Sequence, residues 1–332
     1  MTMRYRGGLG RAALGIAISA VALFLVARSV DIPAAWDAMR GAQPGWLALL
    51  IAFIGIDLLA RALRWKLLLS PVGRVRYGDS LASLLVGYLA NNVLPARLGE
   101  VVRSHDLGER SGLSKSTILG TIVVERVMDT LVVVVIAAFA IFVLSVRGIV
   151  ASAVLVGLAV TALLVVAIAI GLIAHRLPGA DRASAFLNRW PRVHGLLVRL
   201  RAGLAVARDV RVMAASLGLT MVSWSCAVLG FAVAAQSVGV EPTMGQAALL
   251  AAGVNLATAV PAAPGYVGTF ELAAVTIAAS VGIDRESALA FAVLLHAMSL
   301  LITSLGGAVA LLAGGRRRAQ NEAPMAEPRS HA

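Results

Sequence analysis

The segment GYLANNVLPARLG, residues 87–99, decides the fold, because it places two asparagines, a proline and an arginine between stretches apolar enough for a lipid bilayer. A second segment, GVNLATAVPAAPG at residues 253–265, repeats its spacing. Each segment has a glycine eight residues before a Pro-Ala pair and another glycine four residues after that proline. The shared spacing indicates two copies of one helix-breaking element.

The similarity between the two copies continues downstream. GLSKST at residues 112–117 matches GIDRES at residues 282–287, since each has a glycine, a branched apolar residue, a helix N-cap, a base and then a hydroxyl. The paired motifs lie 166 and then 170 residues apart, in the same order, and each copy opens a long apolar helix. Two ordered matches predict an internal duplication.

The composition of the chain is that of an integral membrane protein. It is 59% hydrophobic and 14% charged, with a mean hydropathy of +0.88, values outside the range of soluble domains. Apolar runs of about 20 residues recur, and strand alternation is absent. We therefore predict an all-α integral membrane protein with six full spans and two re-entrant hairpins. The predicted spans are 12–27, 46–69, 118–145, 149–174, 211–238 and 286–313, and the hairpins begin with the short apolar segments 79–94 and 244–260.

The distribution of charge favours membrane topology over nucleic-acid binding as the reason for the net charge of +12. Basic residues cluster at 61–76, in the loop 175–210 and at 316–318. If both short segments are hairpins, both termini and the arginine-rich loop lie in the cytoplasm, as the positive-inside rule requires. Three crossings then separate the hairpins, so they enter from opposite faces and form an inverted repeat. We expect no nucleic-acid partner.

The chain is predicted to form one transmembrane domain, residues 1–315, with repeat-like elements at 79–145 and 244–313. Residues 196–208 sort apolar side chains against arginine, which predicts a helix lying on the cytoplasmic surface. The tail, 316–332, has too few apolar groups to pack and is expected to be disordered.

The helix breaks predict a binding site. Non-helical backbone at membrane depth costs several kcal/mol for each unpaired group, so it persists only where protein or water covers it. The free helix ends offer donors and partial charges to a ligand, and arginines beside them can bind a lipid phosphate bidentately. An ordinary cytoplasmic loop with solvated arginines is the alternative. The predicted substrate-binding residues are Arg61, Arg64, Asn91, Asn92, Pro95, Arg97, Gly99, Glu100, Arg103, Pro261, Pro264, Gly265, Gly268 and Glu271.

Ionisable residues inside the predicted spans indicate a polar interior, because a charge at the bilayer centre costs roughly 2.5–3.5 kcal/mol. Asp57, Arg61 and Arg64 share one helix face, and Asp57 can pair with Arg61. A structural role is the alternative, with Arg64 and Lys66 extending to the surface and Arg126 locking helices together. The predicted proton or charge relay consists of Glu125, Arg126, Asp129 and His296.

Four ordered motifs give the sequence a family resemblance: RALRW at 61–65, NNVLPARLGEVVR at 91–103, ERVMD at 125–129 and PAAPGYVGTFE at 261–271. Together they resemble the lysylphosphatidylglycerol synthase transmembrane, or flippase-like, family of prokaryotic membrane proteins. The resemblance implies movement of a lipid or lipid-linked head group between leaflets, and relatives are linked to aminoacylated phospholipid, hopanoid or polyprenyl-linked sugar pathways. The bifunctional synthases continue into a soluble aminoacyl-transferase domain. This sequence ends at Ala332 without one, so synthesis of lysylphosphatidylglycerol is not expected.

The favoured function is translocation of an anionic or lipid-linked head group across the cytoplasmic membrane, with an anionic phospholipid or a polyprenyl-linked lipid as partner. The sequence contains no G-x-x-x-x-G-K phosphate loop, so protonation of His296 or a buried carboxylate, or the membrane potential, is expected to drive it. One alternative is a membrane-embedded glycosyl or phosphoryl transferase with Glu100, Glu125 and Asp129 as base or metal ligands. Another is a non-transporting partner of a lipid-modifying enzyme. We expect no cofactor and no bound metal, and we expect Cys226, the lone cysteine, to pack as a small apolar side chain.

Overall fold

A computed structural model describes residues 3–94, 98–148, 202–258 and 263–322, together with isolated positions between 149 and 201. The described chain is helical and contains no strand, as predicted. Its helices are α1 Met3–Ser29, α2 Ile32–Arg40, α3 Pro44–Leu69, α4 Tyr77–Val93, α5 Gly99–Ser111, α6 Lys115–Leu144, α7 Val210–Ser237, α8 Met244–Ala257, α9 Thr269–Ser280 and α10 Arg285–Glu322, with 3₁₀ turns at Ala205–Arg208 and Pro264–Tyr266.

Four of these helices, α3, α6, α7 and α10, are long and apolar enough to cross a membrane. The pair α1 and α2 gives a fifth candidate span, bent by 88° where Asp31 caps the start of α2. Large apolar side chains such as Phe142 and Leu312 are exposed on the outer faces of these helices, which is the pattern of a lipid-facing surface. Five of the six predicted spans coincide with these elements, and the sixth, 149–174, lies outside the described residues except for isolated positions.

The described helices form two similar four-helix units, α3–α6 and α7–α10. The first helices of the two units, α3 and α7, pack against each other. The second helix of each unit packs against the fourth helix of the other, α4 against α10 and α8 against α6. Where α3 and α7 cross, Ser223 donates a hydrogen bond to Asp57, and these residues are 166 positions apart, as are Gly87 and Gly253. Such reciprocal packing is what a duplicated unit related by a two-fold axis produces.

Both units contain the predicted break between their second and third helices. In the first unit, α4 ends at Val93 and α5 begins at Gly99. In the second unit, α8 ends at Ala257 and α9 begins at Thr269. The third helix of each unit ends at a left-handed glycine of the downstream motif, Gly112 with φ 72° and its counterpart Gly282 with φ 82°.

Two large apolar cores lie in the described chain, and the second includes residues from helices of both units. Trp65 is fully buried among residues of α3, α4, α5 and α6, and Phe291 is fully buried among those of α7 to α10 and α1 to α3. Of the predicted surface helix, the structure describes the end: Leu204 and Val206 are buried against α3 and α6.

The structure corrects the prediction for the start of the tail. Helix α10 continues to Glu322, so residues 316–322 extend the last helix instead of lacking structure. No proline lies between Pro264 and Pro324, and arginine, alanine, glutamine and glutamate all suit a helix.

Candidate functional site

A half-enclosed cavity of about 460 Å³ lies where the two units meet. The first broken helix pair contributes Asn91 and Asn92 to its wall, and the second contributes Asn255, Tyr266 and Phe270. Helices α3, α6, α7 and α10 form the rest of the wall. The two breaks therefore present polar groups to one shared space.

One side of this cavity holds an arginine–carboxylate cluster. Its members in the described part of the chain are Asp57, Arg61, Arg64, Arg103, Glu125, Arg126 and Asp129. The cluster connects α3, α5 and α6, all within the first unit. Its four arginines face three carboxylates, so the cluster retains one positive charge that its own members do not neutralise.

Arg64 lies at the centre of the arginine–carboxylate cluster and is fully buried. Its two terminal nitrogens bind Asp129 at 2.5 and 3.0 Å, and Nη2 also lies 3.2 Å from Glu125. Nη1 donates a further hydrogen bond to Thr220 of α7, at 3.0 Å. Because Arg64 bridges three helices and does not line the cavity, its geometry is that of a structural ion pair.

The cavity-lining arginines differ in how accessible they are. Arg61 binds Asp57 at 2.8 Å, as the sequence predicted, and Arg103 binds Glu125 at 3.1 Å while its guanidinium lies 4.6 Å from the centre of the Trp65 ring. Their side chains are 12% and 5% exposed, whereas that of Arg126 is 44% exposed. Arg126 is therefore the most accessible cation of the arginine–carboxylate cluster.

The two asparagines of the first break connect α4 to α5 and to α10. Asn91 Oδ1 accepts a hydrogen bond from the Gly99 amide at 2.8 Å, which satisfies one free donor at the start of α5. Asn92 Nδ2 donates to Thr303 at 3.0 Å and to Ser304 at 2.9 Å, both on α10. The first break is thus fastened to the last helix of the other unit.

The second break is built around a buried pair of ionisable side chains. Glu271 accepts a hydrogen bond from the Gly268 amide at 2.6 Å, and its other oxygen lies 2.6 Å from Nδ1 of His296. Phe270 stacks on the imidazole with 4.3 Å between ring centres. The Ala263 amide donates to Ser19 of α1 at 2.9 Å. The pair therefore links α9 to α10 at the cavity wall.

Comparison with known proteins identifies the fold. The family model described as lysylphosphatidylglycerol synthase TM region matches residues 12–307. The chain belongs to this family. The family resemblance predicted from the four motifs is thereby confirmed, and with it a multi-pass membrane protein.

A named relative gives a further comparison. The chain is 25% identical over 337 residues to the glycosyltransferase AglD of Haloferax volcanii, an alignment that covers 90% of this chain and 53% of that protein. The chain therefore spans about half the length of the relative that it matches.

The structure brings half of the predicted site residues to the cavity wall. Arg64 and Glu125 lie behind the wall, and the described residues of the second break that were predicted to bind substrate are not part of it. The predicted residues that line the cavity are Arg61, Asn91, Asn92, Gly99, Glu100, Arg103, Arg126, Asp129 and His296. The predicted residues that are described but do not line it are Arg64, Glu125, Pro264, Gly265, Gly268 and Glu271. The predicted residues outside the described part of the chain are Pro95, Arg97 and Pro261.

Several lining residues were not predicted. Tyr88, Asn255 and Tyr266 stand inside or beside the quoted helix-breaking motifs, so attention to every polar residue of those motifs would have found them. Cys226 was expected to pack as an apolar side chain; it is buried and also contributes to the cavity wall. Nothing in its apolar surroundings in the sequence indicates that position.

Proposed function

We propose that this protein translocates an anionic or lipid-linked head group between the leaflets of the prokaryotic cytoplasmic membrane. The observation that carries the proposal is the half-enclosed cavity between two broken helix pairs, with Arg126 exposed on its wall. Broken helices around a shared site are the arrangement by which transporters built from repeats bind charged substrates.

The cavity suits a head group in size and charge. Its volume of about 460 Å³ is within the usual range for small-molecule sites, which supports entry of a head group while acyl or prenyl chains stay in lipid. Arg126 can bind a phosphate bidentately, with Asn91 and Asn255 as additional hydrogen-bonding groups. An anionic phospholipid and a polyprenyl-linked phosphate share the chemistry that these residues recognise.

Alternation of access follows from the way the two units hold each other. We propose that both broken pairs are re-entrant hairpins that enter from opposite faces, within six full spans and with both termini in the cytoplasm. The Asn92 contacts with α10 fasten the first hairpin to the other unit. Rocking one unit against the other would open the cavity to one leaflet at a time. Exposed Val93 and Val101 on the first hairpin offer an apolar edge for lipid chains.

The Arg126→Gln variant tests the site. The variant loses a charge-assisted hydrogen bond to the lipid phosphate, which contributes about 1.5–3 kcal/mol. We therefore expect leaflet exchange of fluorescent phosphatidylglycerol, in liposomes containing the purified variant, to be at least tenfold slower than with wild type. The measurement is the rate at which an impermeant reductant bleaches the label. Arg74→Gln is the matched control, because Arg74 is exposed and does not line the cavity. Equal exchange by wild type and Arg126→Gln would contradict the proposed site.

A lipid-linked transferase is the second candidate, supported by the name of the relative AglD. Glu100 and Asp129 on the cavity wall are the carboxylates that could act as a general base. Mass spectrometry of lipids from the same liposomes separates the two functions. A new covalent lipid product that is lost in Asp129→Asn would favour the transferase, whereas leaflet exchange with unchanged lipid masses would favour translocation.

A further inference from the structure

The pair formed by Glu271 and His296 differs from the other buried carboxylates of the site. Glu125 lies within ion-pair distance of Arg64, Arg103 and Arg126, and Asp129 is likewise surrounded by arginines. In the described part of the chain, the ion partner of Glu271 is a histidine. Arginine keeps its charge at all physiological pH values, whereas a histidine ring nitrogen can accept or release a proton.

The geometry of this pair leaves one proton-accepting atom available. Nδ1 of His296 is engaged by Glu271 at 2.6 Å, so a neutral ring donates from Nδ1 and keeps an open lone pair on Nε2. Among the described residues no group bonds Nε2, and His296 lines the cavity. The Gly268 amide and the stacked Phe270 ring hold the pair in place.

The groups facing this pair set the electrostatic effect of protonation. Every helix from α3 to α7 presents titratable groups to the cavity, and so does the turn before α9. Helix α8 presents Asn255 and Thr258. Of the groups on α1 and α2, Arg28, Asp37 and Arg40 do not line the cavity. The cavity-facing groups are Asp57, Arg61, Tyr88, Glu100, Arg103, Arg126, Asp129, Cys226 and Tyr266. With Glu100 and Glu271 included, the described site has one carboxylate more than it has arginines. One proton on His296 therefore makes the site neutral and favours entry of an anion.

We infer that Glu271 and His296 form the proton-binding site of the transport cycle, and that one proton enters the cavity with each singly charged phosphodiester head group. The inference rests on the proposed translocation function and specifies its coupling ion. The proton adds to Nε2 of His296, giving an imidazolium held by the Glu271 carboxylate. One positive and one negative charge then cross together, so the coupled step is electrically neutral and the membrane potential does not drive it.

Calorimetry on the purified full chain in detergent tests the proton directly. Phosphatidylglycerol is titrated at one pH slightly above neutrality in two buffers with different ionisation enthalpies, and phosphatidylcholine is the control lipid. The difference in heat gives the protons taken up per lipid bound. We expect wild type to take up about one proton per lipid bound. Because proton and lipid binding are reciprocally linked, we also expect lipid binding to become up to roughly tenfold tighter for each pH unit of acidification.

His296→Gln and Glu271→Gln should each abolish the proton uptake. His105→Gln is the matched control, because His105 also lies beside a glutamate, Glu109, but its side chain is 61% exposed and does not line the cavity. Wild-type binding without proton uptake would overturn the inference and leave translocation standing, and uptake that persists in His296→Gln would overturn the assignment to this pair.

Liposome experiments distinguish the inference from the function on which it rests. Translocation with proton coupling predicts that an inward acid gradient accelerates exchange in wild type and His105→Gln but not in His296→Gln. Proton-linked lipid binding without leaflet exchange would support the proton site and overturn translocation. Absence of any phosphatidylglycerol binding would overturn both.

Discussion

The Arg64→Met variant is expected to lower the free energy of unfolding by about 3–5 kcal/mol, the cost of removing one partner from a buried ion pair. Arg64 on α3 is fully buried and neutralises Asp129 and Glu125, which both lie on α6. Methionine matches much of the volume of the arginine side chain, but it removes a positive charge that both carboxylates contact. Arg103 and Arg126 still hold Glu125, so the larger loss falls on Asp129.

The purified protein in detergent is checked by size exclusion. Its denaturation midpoint is measured by denaturant titration. Lys66→Met on the same helix is the matched control, since Lys66 has no ion partner among the described residues, and it should shift stability by less than about 0.5 kcal/mol. The double variant Arg64→Met with Asp129→Asn should recover part of the loss, because it removes the stranded charge. A stability of Arg64→Met equal to that of Lys66→Met would contradict the structural role.

The two helix breaks could be predicted from the sequence because they rest on local rules. Proline and glycine interrupt helices wherever they occur, and the spacing of the motifs survives in the structure as two breaks and two left-handed glycines, Gly112 and Gly282. The Asp57–Arg61 pair was also predictable, because residues four apart on a helix are neighbours.

The sequence could not predict which charged residues line the cavity and which lie buried behind its wall, because this depends on how the helices pack against one another. Arg61 and Arg64 lie three positions apart on α3, yet Arg61 lines the cavity and Arg64 points to a partner 65 residues away. Glu271 and His296 are 25 residues apart on different helices, so no helical spacing connects them. Only the packing of α9 on α10 reveals that they are one pair.

The Gly99→Ala variant is expected to lose about 1–3 kcal/mol of stability and most of the leaflet exchange, because the close contact between α4 and α5 has no room for a side chain at this position. A Cβ atom on Gly99 would lie 2.3 Å from the carbonyl oxygen of Gly87 and 2.5 Å from the Asn91 amide. Backbone blocks the methyl group, so α5 has to move away from α4. That movement breaks the bond from the Gly99 amide to Asn91 and carries Arg103 away from Glu125.

Gly78→Ala provides the matched control for this close approach. Gly78 lies at the exposed start of α4, and an added Cβ would meet nothing within 4 Å. Alanine there should raise stability by about 0.4–1 kcal/mol, since it restricts the unfolded chain without a clash. We expect the denaturation midpoint to fall in Gly99→Ala and to rise in Gly78→Ala. We expect leaflet exchange to be lost only in Gly99→Ala. Normal exchange by Gly99→Ala would show that the protein tolerates separation of α4 from α5, and the cavity would then not depend on the contact between Gly87 and Gly99.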